Sequence, residues 1–506
     1  MSAPTYDLGT LHGGLRLPAN KSVSTRQPII NAPLPSQLVL PITQHVGDPA
    51  QPIIGIGERV LKGQLIAEMT GSLGAPVHAS SSGKVIAIEP RPVSRRNGDN
   101  APCIIIECDG KDEAVQAADA MPNFTEISPS SLLRAILQGG IVGLGGAVFP
   151  TAQKLMQART CDIDQLLLNG VECESYISCD DMLMRERAGQ VISGAQILMH
   201  ALEIDKCLIA IESDKPEAIR ALGGVLGEMD DSRITLKQVP TIYPSGGEDQ
   251  LVQLVTNREV PSGGLPSDVG CLVQNVGTAA AIHDWIIDNQ PLIARITTIT
   301  GDGVANPINV RARIGTTIED VITLAGGYTD RARQLIIGGP MTGKSVTTDR
   351  VPLVKSTNCI LVSSETPSAE PEMPCIRCGD CASVCPVQLL PQQLFWYACA
   401  DNEIKLREFG LIDCIECGCC DLVCPSHIPL TVNFRVAKGR IRELADEKAR
   451  AVRARQRFEA RNDRLEREKS ERECELRNQK DLAKKAGPSA IAEILKRKQQ
   501  KNEDDS

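Results

Sequence analysis

Cys375-Ile-Arg-Cys378-Gly-Asp-Cys381-Ala-Ser-Val-Cys385-Pro386 returns with the same spacing as Cys414-Ile-Glu-Cys417-Gly-Cys-Cys420-Asp-Leu-Val-Cys424-Pro425. Gaps of two residues put three thiolates on one face of a tight turn, where they can hold three irons of one 4Fe–4S cubane. Where two such runs are paired, the fourth cysteine of each reaches across to the other cluster. The spacing therefore predicts one cluster on Cys375, Cys378, Cys381 and Cys424, and a second on Cys414, Cys417, Cys420 and Cys385. A pair of zinc knuckles is the alternative, disfavoured because each run has four cysteines and closes on Cys-Pro. Cys419 and Cys399 read as small buried residues.

Outward from these runs, the 506 residues are too many for a single core and predict several domains. Ten of the 19 cysteines crowd into Cys375–Cys424 of a long chain with no charged-then-apolar pattern over Met1–Leu11, which reads as metal binding in a reducing cytosol. No run approaches the roughly 18–20 apolar residues that cross a bilayer, so the chain is expected to be neither secreted nor membrane-spanning. From Arg435 onward 22 Lys and Arg face 15 Asp and Glu, so the net −9 divides into +7 there and −16 before it. An acidic body argues against nucleic-acid binding.

The expected fold class is multidomain α/β. Over 1–125, short apolar strands between glycine turns (Gly55–Ile66 and Ala75–Ile88) predict a small β-sandwich resembling a biotinyl/lipoyl hammerhead. Its hairpin Met69-Thr-Gly-Ser-Leu-Gly-Ala75 has no lysine to modify, so no swinging arm is expected. Over 126–294, a helix at Ser130–Leu137 ends at Gly139-Gly140, and strands at Gln165–Asn169 and Lys206–Glu212 alternate with helices, one starting at Pro216. That alternation predicts a largely parallel sheet. Over 295–365, β-branched runs such as Ile296–Thr300 and a helix near Thr317–Leu324 predict a β-grasp module. The cysteine runs occupy 366–434 as a two-cluster ferredoxin-type α-helical domain. The tail, 435–506, is expected to be a charged, partly disordered helix supported by the pairs Arg464–Glu468, Glu468–Arg472 and Glu473–Arg477.

Gly139-Gly-Ile-Val-Gly-Leu-Gly-Gly-Ala-Val-Phe-Pro-Thr151 runs into a helix that begins near Pro150 and contains Lys154. Glycines let backbone N–H groups approach a phosphate, and the helix N-terminus adds positive charge. The loop follows a helix, whereas the dinucleotide fingerprint follows a strand, so an ordinary loop reads equally well. Asn169-Gly-Val-Glu-Cys-Glu-Ser-Tyr-Ile-Ser-Cys-Asp-Asp181 leaves a strand's C-terminal end, where open α/β sheets bind ligands, and its acids could orient a nicotinamide amide or a ribose. Tyr243-Pro-Ser-Gly-Gly-Glu248 and Gln274-Asn-Val-Gly-Thr278 add a second glycine turn and amides suited to a flavin's edge. Each alone also reads as a plain turn. The six histidines share no ligand spacing and are given no role.

Together with Val260-Pro-Ser-Gly-Gly-Leu-Pro266, these segments and the double cysteine motif resemble the RnfC family of the ion-translocating Rnf electron-transport complexes of bacterial membranes. The likeness runs from Leu11-His-Gly-Gly14 to Pro425. Its flavin module is similar to the NADH-oxidising subunit of respiratory complex I. The resemblance implies non-covalent FMN held by Gly143, Gly145, Gly146, Lys154, Asn169, Glu172, Gly246, Gly247, Asn275 and Thr278. It implies Phe149 stacked on the NADH adenine, and Glu174 and Glu248 near the nicotinamide. Leu144 and Val148 stand where the complex I pattern has Arg and Gly, and Ser175 replaces a proline usual in the family.

The reading is an NADH:acceptor oxidoreductase subunit, peripheral on the cytoplasmic side of the inner membrane. Electrons pass from NADH to FMN, through two clusters to a partner iron–sulfur subunit and ultimately ferredoxin, or the reverse, with no catalytic side chain beyond the cofactors. Two rivals remain: a soluble reductase of the same architecture, such as a cobalamin reductase, and a ferredoxin-like wire with a degenerate α/β scaffold. The basic tail reads as a solvated helix or as a binder of anionic lipid or an acidic partner.

Overall fold

The computed structural model describes residues 9, 11–94, 100–116, 123–229, 231–365, 370–485, 487, 492–498 and 500. Most of Met1–Leu11, the boundary at 366 and the last residues of the tail fall outside them. The chain forms two compact units, Met1–Phe434 and Arg435–Ser506.

In the first unit, Gln37–Pro41, Asn100–Cys108, Gly83–Pro92 and Arg59–Val60 make a four-stranded antiparallel sheet. Gln51–Pro52, Leu65–Glu68 and Val77–His78 make a smaller one. Leu38, Leu40, Val60, Ile66, Val77, Ile104 and Ile106 are all essentially unexposed and share one core. The lysine-free hairpin is pinned, because Gln153 Nε2 donates to the Gly74 carbonyl at 3.0 Å.

The α/β part is a parallel four-stranded sheet in the order Ile234–Val239, Cys207–Glu212, Gln165–Gly170, Cys271–Asn275. Strand alternation sends Leu166, Leu168, Ile209 and Ile211 to one face, where they join the main core with Val191, Ile192 and Ala195 of the helix Ala188–Leu202. Leu167, Leu208 and Ala210 point the other way and pack with Leu251, Val252 and Val255 of Glu248–Thr256. Helices on both faces are what a buried parallel sheet requires. The chain winds from the Gln165 strand outward to 234–239, then returns to the opposite side of the Gln165 strand. The C-terminal ends of Gln165–Gly170 and Cys271–Asn275 therefore flank a topological switch point.

A six-stranded mixed sheet follows, in the order Ile30–Asn31, Ile308–Arg313, Ala294–Thr300, Cys359–Ser363, Gln334–Ile337, Lys344–Val346. The helix Ile318–Leu324 packs on it, started by a capping box between Thr317 and Asp320. Strand Ile30–Asn31 comes from far upstream and pairs in parallel with Val310–Arg311.

Short helices Asp380–Ser383, Pro391–Cys399, Glu403–Glu408 and Cys419–Leu422 carry the cysteine runs. The repeat extends to the backbone. Arg377 and Glu416, Gly379 and Gly418, and Gln388 and His427 all have positive φ and pair off at the same offset as Cys375 and Cys414.

Most of the helix Leu430–Lys485 belongs to the second unit. Arg455–Glu459 at 2.8 Å and Arg464–Glu468 at 3.7 Å are i,i+4 pairs along it. Among the described residues no helix is long and apolar enough to cross a membrane.

Candidate flavin and cluster sites

The glycine-rich loop closes on itself and is then clamped at one residue. Gly143 N–H donates to the Phe149 carbonyl at 2.8 Å and Val142 bridges Pro150. Leu144 N–H donates to Thr278 Oγ1 at 2.9 Å, and the Leu144 carbonyl accepts from Arg295 Nη2 at 2.8 Å. Beyond Leu144 the loop is exposed over Gly145, Gly146 and Ala147. A Cβ on Gly145 would touch Asn275 Cβ at 3.4 Å, whereas Gly146, at φ +112°, would project one into open space. Val148 holds φ +46°, a conformation costing a β-branched residue about 1–2 kcal/mol. The complex I pattern's glycine would adopt it freely. Leu144, where that pattern has an arginine, is 3% exposed, so the loop backbone is held instead by the buried guanidinium of Arg295.

Three further segments meet this loop at the switch point. Asn275 caps the helix Val276–Ile286 by accepting from Gly277 N–H at 2.8 Å, and its Nδ2 donates to Asp180 Oδ2 at 2.6 Å. Asn169 Nδ2 donates to the Gly246 carbonyl at 2.9 Å, joining the Gln165 strand to the second glycine turn. Gly246 has no room for a side chain, since a Cβ would lie 3.2 Å from Cys173 Sγ, and at Gly247 one would lie 2.3 Å from Gln250 Oε1. Lys154 Nζ donates to Glu248 Oε1 at 2.6 Å and to the Val273 carbonyl at 2.8 Å. Glu172, at φ +50°, accepts from Asp180 N–H at 2.7 Å and Asp181 N–H at 3.2 Å, at the start of the helix Cys179–Glu186. Burial pushes its carboxyl up to about 7, against the opposing pull of Lys21, whose ammonium donates to the Glu172 carbonyl.

Glu174, which the resemblance sets near the nicotinamide, is held by a loop of the six-stranded module. Its Oε1 accepts from Met341 N–H at 2.7 Å and Thr342 N–H at 2.9 Å, and its Oε2 from Thr342 Oγ1 at 2.8 Å. It thus ties the strand end to the loop Gly339–Gly343. Ser175, replacing the family's proline, donates its hydroxyl to the Pro18 carbonyl at 2.7 Å, a bond proline could not make. Arg295 and Lys21 were missed. Only Arg295 left a signal, as the one charge in the apolar run Leu292–Thr300.

The arrangement fits a bound polar group. Among the described residues, the buried atoms Thr151 Oγ1, Ser245 Oγ and Gln274 Nε2, all in the segments of this site, have no hydrogen-bond partner. Exposed glycine backbone beside them is the geometry by which a phosphate is cradled.

The cysteines converge in two pockets. One is lined by Cys375, Cys378, Cys381 and Cys424 with Ile376, Phe395, Ile428 and Leu430. The other gathers Cys385, Cys414, Cys417 and Cys420, with Cys419, against Leu389, Leu394, Ile415 and Phe434. Apart from Cys419, each pocket draws three thiols from one run and one from the other. All-thiol quartets with apolar walls suit iron–sulfur clusters.

Residues 136–284 match the Nuo51 FMN-binding domain, 9–111 the RnfC barrel sandwich hybrid domain, and 296–345 the SLBB domain. These define a multidomain α/β chain with an FMN-binding-type domain at its centre. The RnfC protein of the ion-translocating oxidoreductase complex of Pseudomonas aeruginosa is 49% identical over 92% of this chain and 60% of its own length. Those of Vibrio cholerae and Haemophilus influenzae are 44% and 43% identical, over 96% and 90% of this chain and 63% and 68% of theirs. The chain belongs to the RnfC family. It spans about 60% of the Pseudomonas protein's length. A NAD+-reducing NiFe hydrogenase structure aligns with 64% of this chain and 66% of its own, at TM-score 0.43 and 17% identity.

Proposed function

We propose that this chain is the NADH-oxidising electron-input subunit of a membrane-bound Rnf-type complex, peripheral on the cytoplasmic face of the inner membrane. Electrons enter from NADH, leave singly through two 4Fe–4S clusters to a partner iron–sulfur subunit, and finally reach ferredoxin, or travel the reverse way, coupled to ion translocation. The observation that carries this reading is the pair of all-cysteine pockets in the same compact unit as an FMN-binding-type switch point. FMN, when bound, supplies the conversion between hydride, which carries two electrons, and single-electron carriers.

The chain's own residues position and shield. Gly143, whose N–H closes the loop on the Phe149 carbonyl, shapes the cradle in which Gly145 and Gly146 offer backbone N–H groups to the flavin phosphate, with Lys154 and the N-terminus of Thr151–Ala158 adding positive charge. Asn169, Glu172, Gly246, Gly247, Asn275 and Thr278 line the ring side, Phe149 stacks on the NADH adenine, and Glu174 and Glu248 lie near the nicotinamide. Cys375, Cys378, Cys381 and Cys424 ligate one cluster, and Cys385, Cys414, Cys417 and Cys420 the other. Anaerobic reconstitution with iron, sulfide and FMN, then NADH titration followed by absorbance and EPR, tests all three components. The expected result is about eight irons and one flavin per chain, with flavin bleaching and cluster reduction by NADH. Zinc in place of iron and sulfide would refute the reading.

A further inference from the structure

We propose that the two clusters act in a fixed order, the Cys385–Cys414–Cys417–Cys420 cluster first, and that Tyr243 is the residue that couples it to the flavin side. The inference rests on the function proposed above. Four contacts carry it, and each joins the α/β part or a segment bound to it with this quartet.

The first is Tyr243 itself, 4% exposed, whose hydroxyl donates to the Cys417 carbonyl at 2.6 Å. Tyr243 opens the turn whose other end, Gly246, accepts from Asn169 at the switch point. Two residues separate the two ends, and three residue steps keep them within roughly 11 Å of each other. Second, Ser262 Oγ donates to Asp413 Oδ2 at 2.7 Å, next to Cys414. Third, the loop held by Glu174 presents the Met341 carbonyl to Gly418, where a Cβ would lie 3.4 Å from it. Fourth, Leu15 pairs with Tyr243 in both directions, at 2.7 and 2.8 Å, while the preceding Gly14 N–H donates to the Val384 carbonyl at 2.9 Å. A Cβ on Gly13 would stand only 2.8 Å from the Cys385 carbonyl carbon, so that strap lies directly on the quartet's fourth ligand.

The other quartet is differently placed. Residues 371–380 are exposed, Cys375 alone being half-buried, and Ile376 is 68% exposed. The neighbours of Cys375 bond within their own domain, Met373 N–H to the Ser426 carbonyl at 2.9 Å and Ser426 Oγ to the Pro374 carbonyl at 3.0 Å. One cluster is thus embedded against the flavin side, and the other faces outward as the exit. Each transfer moves one electron from the reduced donor to an oxidised cubane, with no bond made or broken. The second electron follows once the first has moved on.

Tyr243 is a positioning residue. Its O–H dipole points toward the Cys417 backbone and favours the more negative, reduced cluster, which raises that cluster's potential. Tyr243→Phe keeps the ring and removes this one bond. Iron, sulfide and flavin contents, measured first on the reconstituted full chain, separate a failure of the binding reading from a failure of the order. Cys378→Ala and Cys420→Ala, each lacking one ligand, assign the two EPR signals. In an EPR-monitored redox titration, Tyr243→Phe is expected to lower the potential of the Cys385–Cys420 cluster and leave the other unchanged. Freeze-quenched with NADH, Cys378→Ala should reduce its remaining entry cluster at the wild-type rate, whereas Cys420→Ala should lose reduction of the exit cluster. Wild-type reduction of the exit cluster in Cys420→Ala, or a Tyr243→Phe shift confined to that cluster, would overturn the order.

Discussion

Lys355 offers a test of how the first unit is joined. Fully buried, its ammonium donates to the Pro76 carbonyl at 2.9 Å and the Gly140 carbonyl at 2.7 Å, and its backbone N–H to Gln44 Oε1 at 3.2 Å. One side chain thereby links the small β-sandwich, the start of the glycine loop and the six-stranded module. Burial lowers its pKa from 10.5 to about 7. The folded pKa lies below the unfolded one, so between these values the unfolded chain binds the extra proton. Stability then rises with pH, by at most about 1.4 kcal/mol per unit. Below about pH 7 both states are protonated and the contribution is flat. Lys355→Met strands two buried carbonyls, at about 1–3 kcal/mol each, while removing the desolvated amine. Its destabilisation should therefore be small near pH 7 and grow by about 3–4 kcal/mol toward pH 10. Urea unfolding at several pH values, followed by the fluorescence of Trp285, measures this directly. A mutant penalty that stays constant from pH 7 to 10 would refute the reasoning.

Gly145→Trp should abolish FMN binding while iron content stays at the wild-type level, because an indole there would fill the space over the exposed loop beside Asn275, and retained flavin absorbance would count against the cradle. Thr278→Val removes the acceptor of Leu144 N–H and should weaken FMN affinity by about 1–2 kcal/mol, read by fluorescence titration. Glu174→Ala frees the loop Gly339–Gly343 from three hydrogen bonds and should cost roughly 2–4 kcal/mol of stability with FMN content unchanged. A raised KM for NADH without loss of stability would make contact with the nicotinamide, not the loop, the main work of Glu174.

What the sequence disclosed was local. Alternation located the strands Gln165–Gly170 and Cys207–Glu212, and glycine placed the turn after Gln138, because such signals lie within a few residues of one another. The cysteine spacing led to two quartets for the same reason. Pairings over long separations left no such trace. Ile30–Asn31 beside Val310–Arg311, Glu174 against Met341 and Thr342, and Tyr243 on Cys417 join residues whose neighbourhoods look like ordinary loops. Lys355 and Arg295 read as surface charges until the packing of several modules encloses them.

The interleaving of the cysteine runs also sets a schedule for synthesis. The pocket that opens with Cys375 is closed by Cys424, so the first thiols to leave the ribosome wait for the last. The pocket closed by Cys420 is complete a few residues sooner, and it is the one built into the body of the unit. A nascent chain stalled between Cys385 and Cys414 would hold four of the eight thiols and neither finished nest, so on the ligation proposed above, iron loading follows translation of the whole repeat.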